Sequence, residues 1–165
     1  MNKKIAIYPG TFDPITYGHI DIINRSLKIF DNIIISIAIN QNKKPLFSIL
    51  ERSNMINEYI KSIRLNNNKN IKIKRISGLL TSFAKKNNSN CIIRGLRAVS
   101  DFEYEFQMTG MNYQLDPSIE TIFLMCSEKN SFISSNLVKE VHKLGGDIKK
   151  FVPEFVIKQL DKKNK

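Results

Sequence analysis

Four separated stretches carry the residue types that bind and transfer phosphate. The first is Tyr8-Pro9-Gly10-Thr11-Phe12-Asp13-Pro14-Ile15-Thr16-Tyr17-Gly18-His19. Its prolines and glycines restrict or free the backbone in turn, and Thr16-x-Gly18-His19 opens an apolar periodic segment. The first amide groups of a helix have no intrahelical partner and attract anions, and a histidine placed there can donate hydrogen bonds to phosphate. The second stretch supplies a mobile point charge, Lys43, in a polar loop. The third, Arg94-Gly95-Leu96-Arg97, supplies guanidinium groups that can fork onto two phosphate oxygens. The fourth is the loop Asn130-Ser131-Phe132-Ile133-Ser134-Ser135-Asn136, hydroxyl-rich and followed by another apolar periodic segment.

Together these groups suit direct phosphoryl or nucleotidyl transfer, which depends on positioning and on stabilising charge at phosphorus rather than on a protein nucleophile. Neither Gly-x-x-x-x-Gly-Lys-Ser/Thr nor Gly-x-Gly-x-x-Gly occurs, so a P-loop and a dinucleotide fingerprint are both excluded.

The elements that must position these residues follow from periodicity. Ile5-Ala6-Ile7-Tyr8 reads as a short buried strand, and Ile20, Ile23, Leu27 and Phe30 share one helical face after it. Ile33 to Ile39 is a nearly continuous apolar run of the kind covered on both faces of a parallel sheet. Ser48-Ile49-Leu50-Glu51 has capping-box spacing and starts a helix to about Ile63. Ile71 to Ile76 alternates like an edge strand, and Leu79, Leu80, Phe83 and Ala84 mark the next helix. Cys91-Ile92-Ile93 is a buried strand, Asp101 to about Leu115 a helix, and Thr121 to Cys126 the fifth strand. Leu137, Val138, Val141 and Leu144 mark a helix, and Pro153 starts a last one with Val156, Ile157 and Leu160 as its apolar stripe. Strand and helix alternate throughout, which predicts one α/β domain over residues 1–165: a doubly wound, five-stranded, parallel, Rossmann-like sheet with a basic tail after about residue 153. Right-handed crossovers put every strand-to-helix loop on one edge, so Thr11, His19, Lys43, Arg94, Arg97 and the Ser131–Ser135 loop should converge on one crevice.

Composition narrows the class. The chain has 165 residues, 42% of them apolar and 25% charged, as in ordinary globular proteins. No apolar run is long enough to span a bilayer, and Met1-Asn2-Lys3-Lys4 lacks the features of a signal peptide, so a cytoplasmic location is expected. The formal net charge of +11 is spread along the chain and concentrated in the tail from Lys158, without interleaved aromatics. That pattern speaks for small anionic ligands over nucleic acid. Cys91 and Cys126 have no zinc spacing and read as buried free thiols, and His142 as structural or surface.

Thr11-Phe12-Asp13-Pro14 with Thr16-Tyr17-Gly18-His19 resembles the turn and T/HxGH motif of the nucleotidylyltransferase superfamily, and Ile133-Ser134-Ser135 its second signature. Within it the chain is most similar to the bacterial phosphopantetheine adenylyltransferases. Tyr8–Pro14, Ile93–Arg97, Asp101–Glu105 and Ser131–Ser135 with Leu137–Glu140 carry that likeness. The resemblance implies adenylyl transfer from ATP to 4′-phosphopantetheine, giving dephospho-coenzyme A and pyrophosphate by in-line attack, with Mg²⁺ accompanying ATP and no metal ligand from protein side chains. It implies that Thr11 orients the attacking phosphate and that His19 stabilises the transition state. Lys43 and Arg94 would hold the pantetheine phosphate, with Leu80 near the pantetheine arm. Thr11, Phe12, His19, Gly95, Leu96, Arg97, Glu105 and the loop Asn130, Ser131, Phe132, Ile133, Ser134, Ser135 and Asn136 would hold ATP. A homohexamer is implied as well, and the helix Phe102–Met111 is either its interface or core. Two positions depart from the family pattern: Asn130 stands where an aromatic residue is frequent, and Asn136 where a Ser or Thr is.

Overall fold

In the computed structural model, residues 3–39, 44–63, 70–97 and 99–163 are described. Five strands, β1 (Ile5–Gly10), β2 (Asn32–Ala38), β3 (Asn70–Ile76), β4 (Cys91–Leu96) and β5 (Glu120–Met125), form one parallel sheet in the order β3-β2-β1-β4-β5. Between and after them run α1 (Tyr17–Ile29), α2 (Ile49–Ser62), α3 (Leu80–Lys86), α4 (Val99–Leu115), α5 (Ser135–Lys143) and α6 (Glu154–Lys163), with a single 3-10 turn over Glu128–Asn130. The elements expected from periodicity are all present. The edge position of β3 fits its alternating pattern, since only one face of that strand is covered.

Because side chains alternate across a strand, the sheet feeds two cores. Ala6, Tyr8, Ile33, Ile35 and Ile37 face a large cluster with Ile23, Met55, Ile56, Val156 and Leu160, from α1, α2 and α6. Ile7, Ile34 and Ile92 face a much smaller cluster with Ala84 and Ile119, flanked by Leu80 and Phe83 of α3. The thin cover on that second face leaves α4 unlike an ordinary surface helix. Tyr104 is 62% exposed and Phe106 63%, and Met111 and Tyr113 are exposed too. Of the two readings of this helix, core or interface, burial in the chain's own core is therefore ruled out. Among the described residues no helix is long and apolar enough to cross a membrane.

The strand order reverses beside β1, where β2 departs to one side and β4 to the other. That switch point opens a crevice at the carboxyl ends of the strands. The turn that leaves β1, the segment after β2, the end of β4 and the segment leading into α5 all meet there.

Candidate active site

The crevice is a cleft of about 560 Å³ whose walls include Thr11, Phe12, His19, Arg94, Gly95, Arg97, Glu105 and the Ile133–Asn136 segment. Its geometry starts at the opening turn. Thr16 caps α1 in an extended conformation, and its backbone N–H donates to Nδ1 of His19 at 3.1 Å, with Thr16 Oγ1 at 2.9 Å from the same nitrogen. A backbone N–H can only donate, so Nδ1 must carry the lone pair and the neutral ring holds its proton on Nε2. Burial, then the positive charge of Arg97, lower the His19 pKa from 6.5 to about 4. The ring is thus a neutral hydrogen-bond donor at pH 7, with Nε2–H as its donating group.

Phe12 has φ +52°, a left-handed conformation that is strained for a bulky residue and costs on the order of 1–3 kcal/mol. Burial of its ring offsets that strain. The ring packs edge-on to Tyr8 at 5.5 Å between centroids and lies 5.0 Å from the His19 ring. Gly10 is required by this packing: a Cβ there would sit 2.8 Å from Phe12 ring carbons. The phenylalanine thereby packs between the turn and the histidine ring, whose orientation is set by Thr16.

Asp13 is only 4% exposed and takes three donors. Its Oδ1 accepts from Phe47 N–H at 2.8 Å, and its Oδ2 from Leu46 N–H at 2.9 Å and from Lys139 Nζ at 2.8 Å. One carboxylate therefore ties the opening turn to the segment after β2 and to α5. Ser135 adds a second tie, donating from Oγ to the Pro14 carbonyl at 2.8 Å, while Ser134 caps α5 by accepting from Leu137 N–H at 3.1 Å. These bonds aim the α5 N-terminus into the cleft, where its first-turn amides make an anion site.

On the opposite wall Arg94 extends from β4. Its Nε donates to Glu105 Oε2 at 2.6 Å, its second terminal nitrogen pairs with Glu105 Oε1, and its remaining nitrogen donates to the Pro9 carbonyl at 3.3 Å. Such a two-point pair holds the guanidinium plane rigidly. Close packing beneath it needs Gly95, because a Cβ there would lie 2.9 Å from Ile22 Cγ1 of α1.

The structure brings Thr11, Phe12, His19, Arg94, Gly95, Arg97, Glu105, Ile133, Ser134, Ser135 and Asn136 to the cleft, as the sequence predicts. Lys43 lies outside the described residues, although its neighbour Lys44 lines the cleft. Other expected residues stand away from it. Leu96 is buried at the end of β4, and Leu80 packs beside the smaller core. Asn130 is buried and donates from Nδ2 to Ser127 Oγ at 2.9 Å, so it shapes its loop rather than lining the cleft. Ser131 bonds back to the Glu128 carbonyl at 2.8 Å, and Phe132 packs edge-on against Phe151 at 6.0 Å. The thiols also differ from expectation: both are free, but Cys126 is half-buried on the cleft wall rather than enclosed. His142 is structural, pairing through Nε2 with Asp161 of α6 at 2.8 Å. Asp13 and Lys139 were missed as site residues, although both stand inside quoted motifs, because their roles depend on contacts across 33 to 126 positions.

A profile of the cytidylyltransferase-like family matches residues 7–141. The phosphopantetheine adenylyltransferase of Caldanaerobacter subterraneus subsp. tengcongensis is 51% identical over 162 residues, which cover 98% of each chain. The chain belongs to the phosphopantetheine adenylyltransferase family. The Pelagibacter ubique enzyme of the same name is 52% identical over 161 residues, again 98% of each chain. The fold extends to more distant proteins: Plasmodium falciparum nicotinic acid mononucleotide adenylyltransferase complexed with NaAD is 21% identical, with a TM-score of 0.70 over 99% of this chain and 97% of that one. As a member of this family the protein is a nucleotidyltransferase.

Proposed function

We propose that the protein transfers the adenylyl group of ATP to 4′-phosphopantetheine, giving dephospho-coenzyme A and pyrophosphate in coenzyme A biosynthesis. A terminal oxygen of the acceptor phosphate attacks the α-phosphorus in line. The new P–O bond forms as the bond from the α-phosphorus to the bridging oxygen breaks, and pyrophosphate leaves with that electron pair. The attacking phosphate is already ionised at pH 7, so no general base is needed and no covalent enzyme intermediate forms. The observation that carries this reading is the state of His19. Its Nδ1 is occupied by Thr16 and its pKa lies at about 4, so it serves as a neutral donor rather than a base. In that role its Nε2–H meets the negative charge that builds on the α-phosphate oxygens.

The remaining roles follow the walls of the cleft. Thr11 orients the incoming phosphate, and Lys43 and Arg94 hold it, with Glu105 fixing the orientation of the Arg94 guanidinium. Arg97, Gly95 and the α5 N-terminus at Ser134–Asn136 bind the nucleotide phosphates, beside Phe12 and His19. Leu96, Asn130, Ser131 and Phe132 complete the nucleotide side in this reading. Leu80, beside the smaller core, takes the pantetheine arm in this reading. Among the described residues no cluster of three potential metal ligands occurs, and the cleft carboxylates Asp13 and Glu105 both face cations. Mg²⁺ would accompany ATP as the counter-ion of its phosphates, where it would supply charge neutralisation.

The exposed apolar residues of α4 support assembly of the chain into a homo-oligomer, a hexamer in the family pattern. Pyrophosphate release from ATP with a panel of phosphorylated acceptors tests the reaction. Release with 4′-phosphopantetheine and not with nicotinate or nicotinamide mononucleotide is the expected result. Equal release with the mononucleotides would overturn it.

A further inference from the structure

One buried cation has no part in the reaction as described: Arg52, in the first turn of α2. It is 2% exposed and does not itself line the cleft. Its guanidinium instead collects main-chain carbonyls from three segments. It donates to the Thr11 carbonyl at 2.8 Å, to the Ala38 carbonyl at the end of β2 at 3.4 Å, and through Nε to the Ser48 carbonyl at 3.4 Å. A buried guanidinium is costly unless its donors are satisfied, and nothing in a helix start calls for one. Its position is informative: the Thr11 carbonyl belongs to the peptide unit that leads into Phe12, the residue held at φ +52°. Without a donor behind it, that peptide is free to rotate toward an ordinary conformation, carrying the Thr11 side chain with it.

We propose that Arg52 is a positioning residue for the acceptor phosphate, holding the Thr11–Phe12 peptide in its left-handed turn from behind the cleft. It rests on the proposed function, since it acts through Thr11. The same guanidinium ties that turn to the end of β2. The ATP side has its own ties, at Ser135 to Pro14 and at Thr16 to His19, which do not pass through Arg52. Loss of Arg52 should therefore divide the two substrates.

The test compares parent, Arg52→Met and Arg52→Lys. Steady-state pyrophosphate release gives kcat/KM for 4′-phosphopantetheine, calorimetry gives the ATP Kd without acceptor, and thermal unfolding sets a working temperature below every transition. Arg52→Met is expected to lose about 100-fold in acceptor kcat/KM, the scale of an ångström-sized misplacement. Its ATP Kd should stay within about threefold of the parent, and Arg52→Lys should recover about tenfold, since one ammonium can still reach the Thr11 carbonyl. If Arg52→Met does not fold, Arg52→Lys must show the same split, about tenfold against unchanged ATP binding. An acceptor kcat/KM within about threefold of the parent, or a parallel loss of acceptor and ATP affinity, overturns the inference, because a merely structural role moves both together. A parent that binds ATP but releases no pyrophosphate with 4′-phosphopantetheine refutes the proposed reaction instead, and the two failures are thereby told apart.

Discussion

Replacing Asp13 by Asn changes one atom at the junction of three segments, and the structure sets the size of the effect. In the parent, Oδ1 accepts from Phe47 N–H, while Oδ2 accepts from Leu46 N–H and from Lys139 Nζ. An amide can keep the first bond, but its NH2 group then points donors at a donor and at an ammonium. A buried N–H left without its charged acceptor costs about 1.5–3 kcal/mol. The lost ion pair adds about 1 kcal/mol, a modest figure because the Lys139 side chain is 25% exposed and can rehydrate. The sum is about 3 kcal/mol, which for a chain of this size lowers Tm by about 6–12 °C. Urea unfolding at pH 7 gives the equilibrium value directly, with the denaturant slope expected to stay constant. A double-mutant cycle with Lys139→Gln isolates the ion-pair share, expected at about 1 kcal/mol. A loss below about 0.5 kcal/mol for Asp13→Asn would refute the reasoning, since it would mean that Leu46 and Phe47 find other partners at no cost. Turnover should fall as well, because the same carboxylate anchors the segment that follows Lys43.

His19→Ala should retain the parental circular dichroism spectrum and lose about 10²–10³ in kcat, the usual effect of removing one donor from a transition-state site; parental turnover would dismiss the assigned role. An NMR titration of the His19 ring should have its midpoint near 4. The unfolded chain takes up a proton near 6.5 and the folded one only near 4, so the folded state loses stability as pH falls through that window, and His19→Ala should lose less. A midpoint near 6 would contradict the burial argument. Gly95→Ala forces a Cβ to within 2.9 Å of Ile22 Cγ1, and overpacking of that kind should cost about 1–3 kcal/mol in chemical unfolding. Phe106→Glu places a charge on the exposed apolar face of α4 and should shift sedimentation velocity toward the monomer, with circular dichroism unchanged; an unaltered assembly would remove α4 from the interface.

The Met- and Phe-bearing helix α4 illustrates how far pattern alone reaches. Its sequence is apolar at many positions without a clear stripe, and core and interface require the same residue types. Only the exposure of Tyr104, Phe106, Met111 and Tyr113 in the folded chain sets aside the core reading. The loop from Asn130 to Phe132 is a parallel case. Position in a motif placed these residues with the nucleotide, yet the 3-10 turn folds Asn130 and Ser131 back onto their own loop.

The parallel sheet, the strand-to-helix turn at Thr16–His19 and the cleft at the switch point were all legible in the chain by itself. Strand and helix periods are local properties, and crossover handedness then leaves one edge for the loops. Tertiary structure alone decided that Asp13 joins three segments, that Glu105 grips Arg94, and that Arg52 stands behind Thr11. Asp13 and Glu105 stand inside motifs and Arg52 in none, yet for each a partner lies 11 to 126 residues away. No periodicity records such a contact, because it exists only once the sheet has brought its ends together.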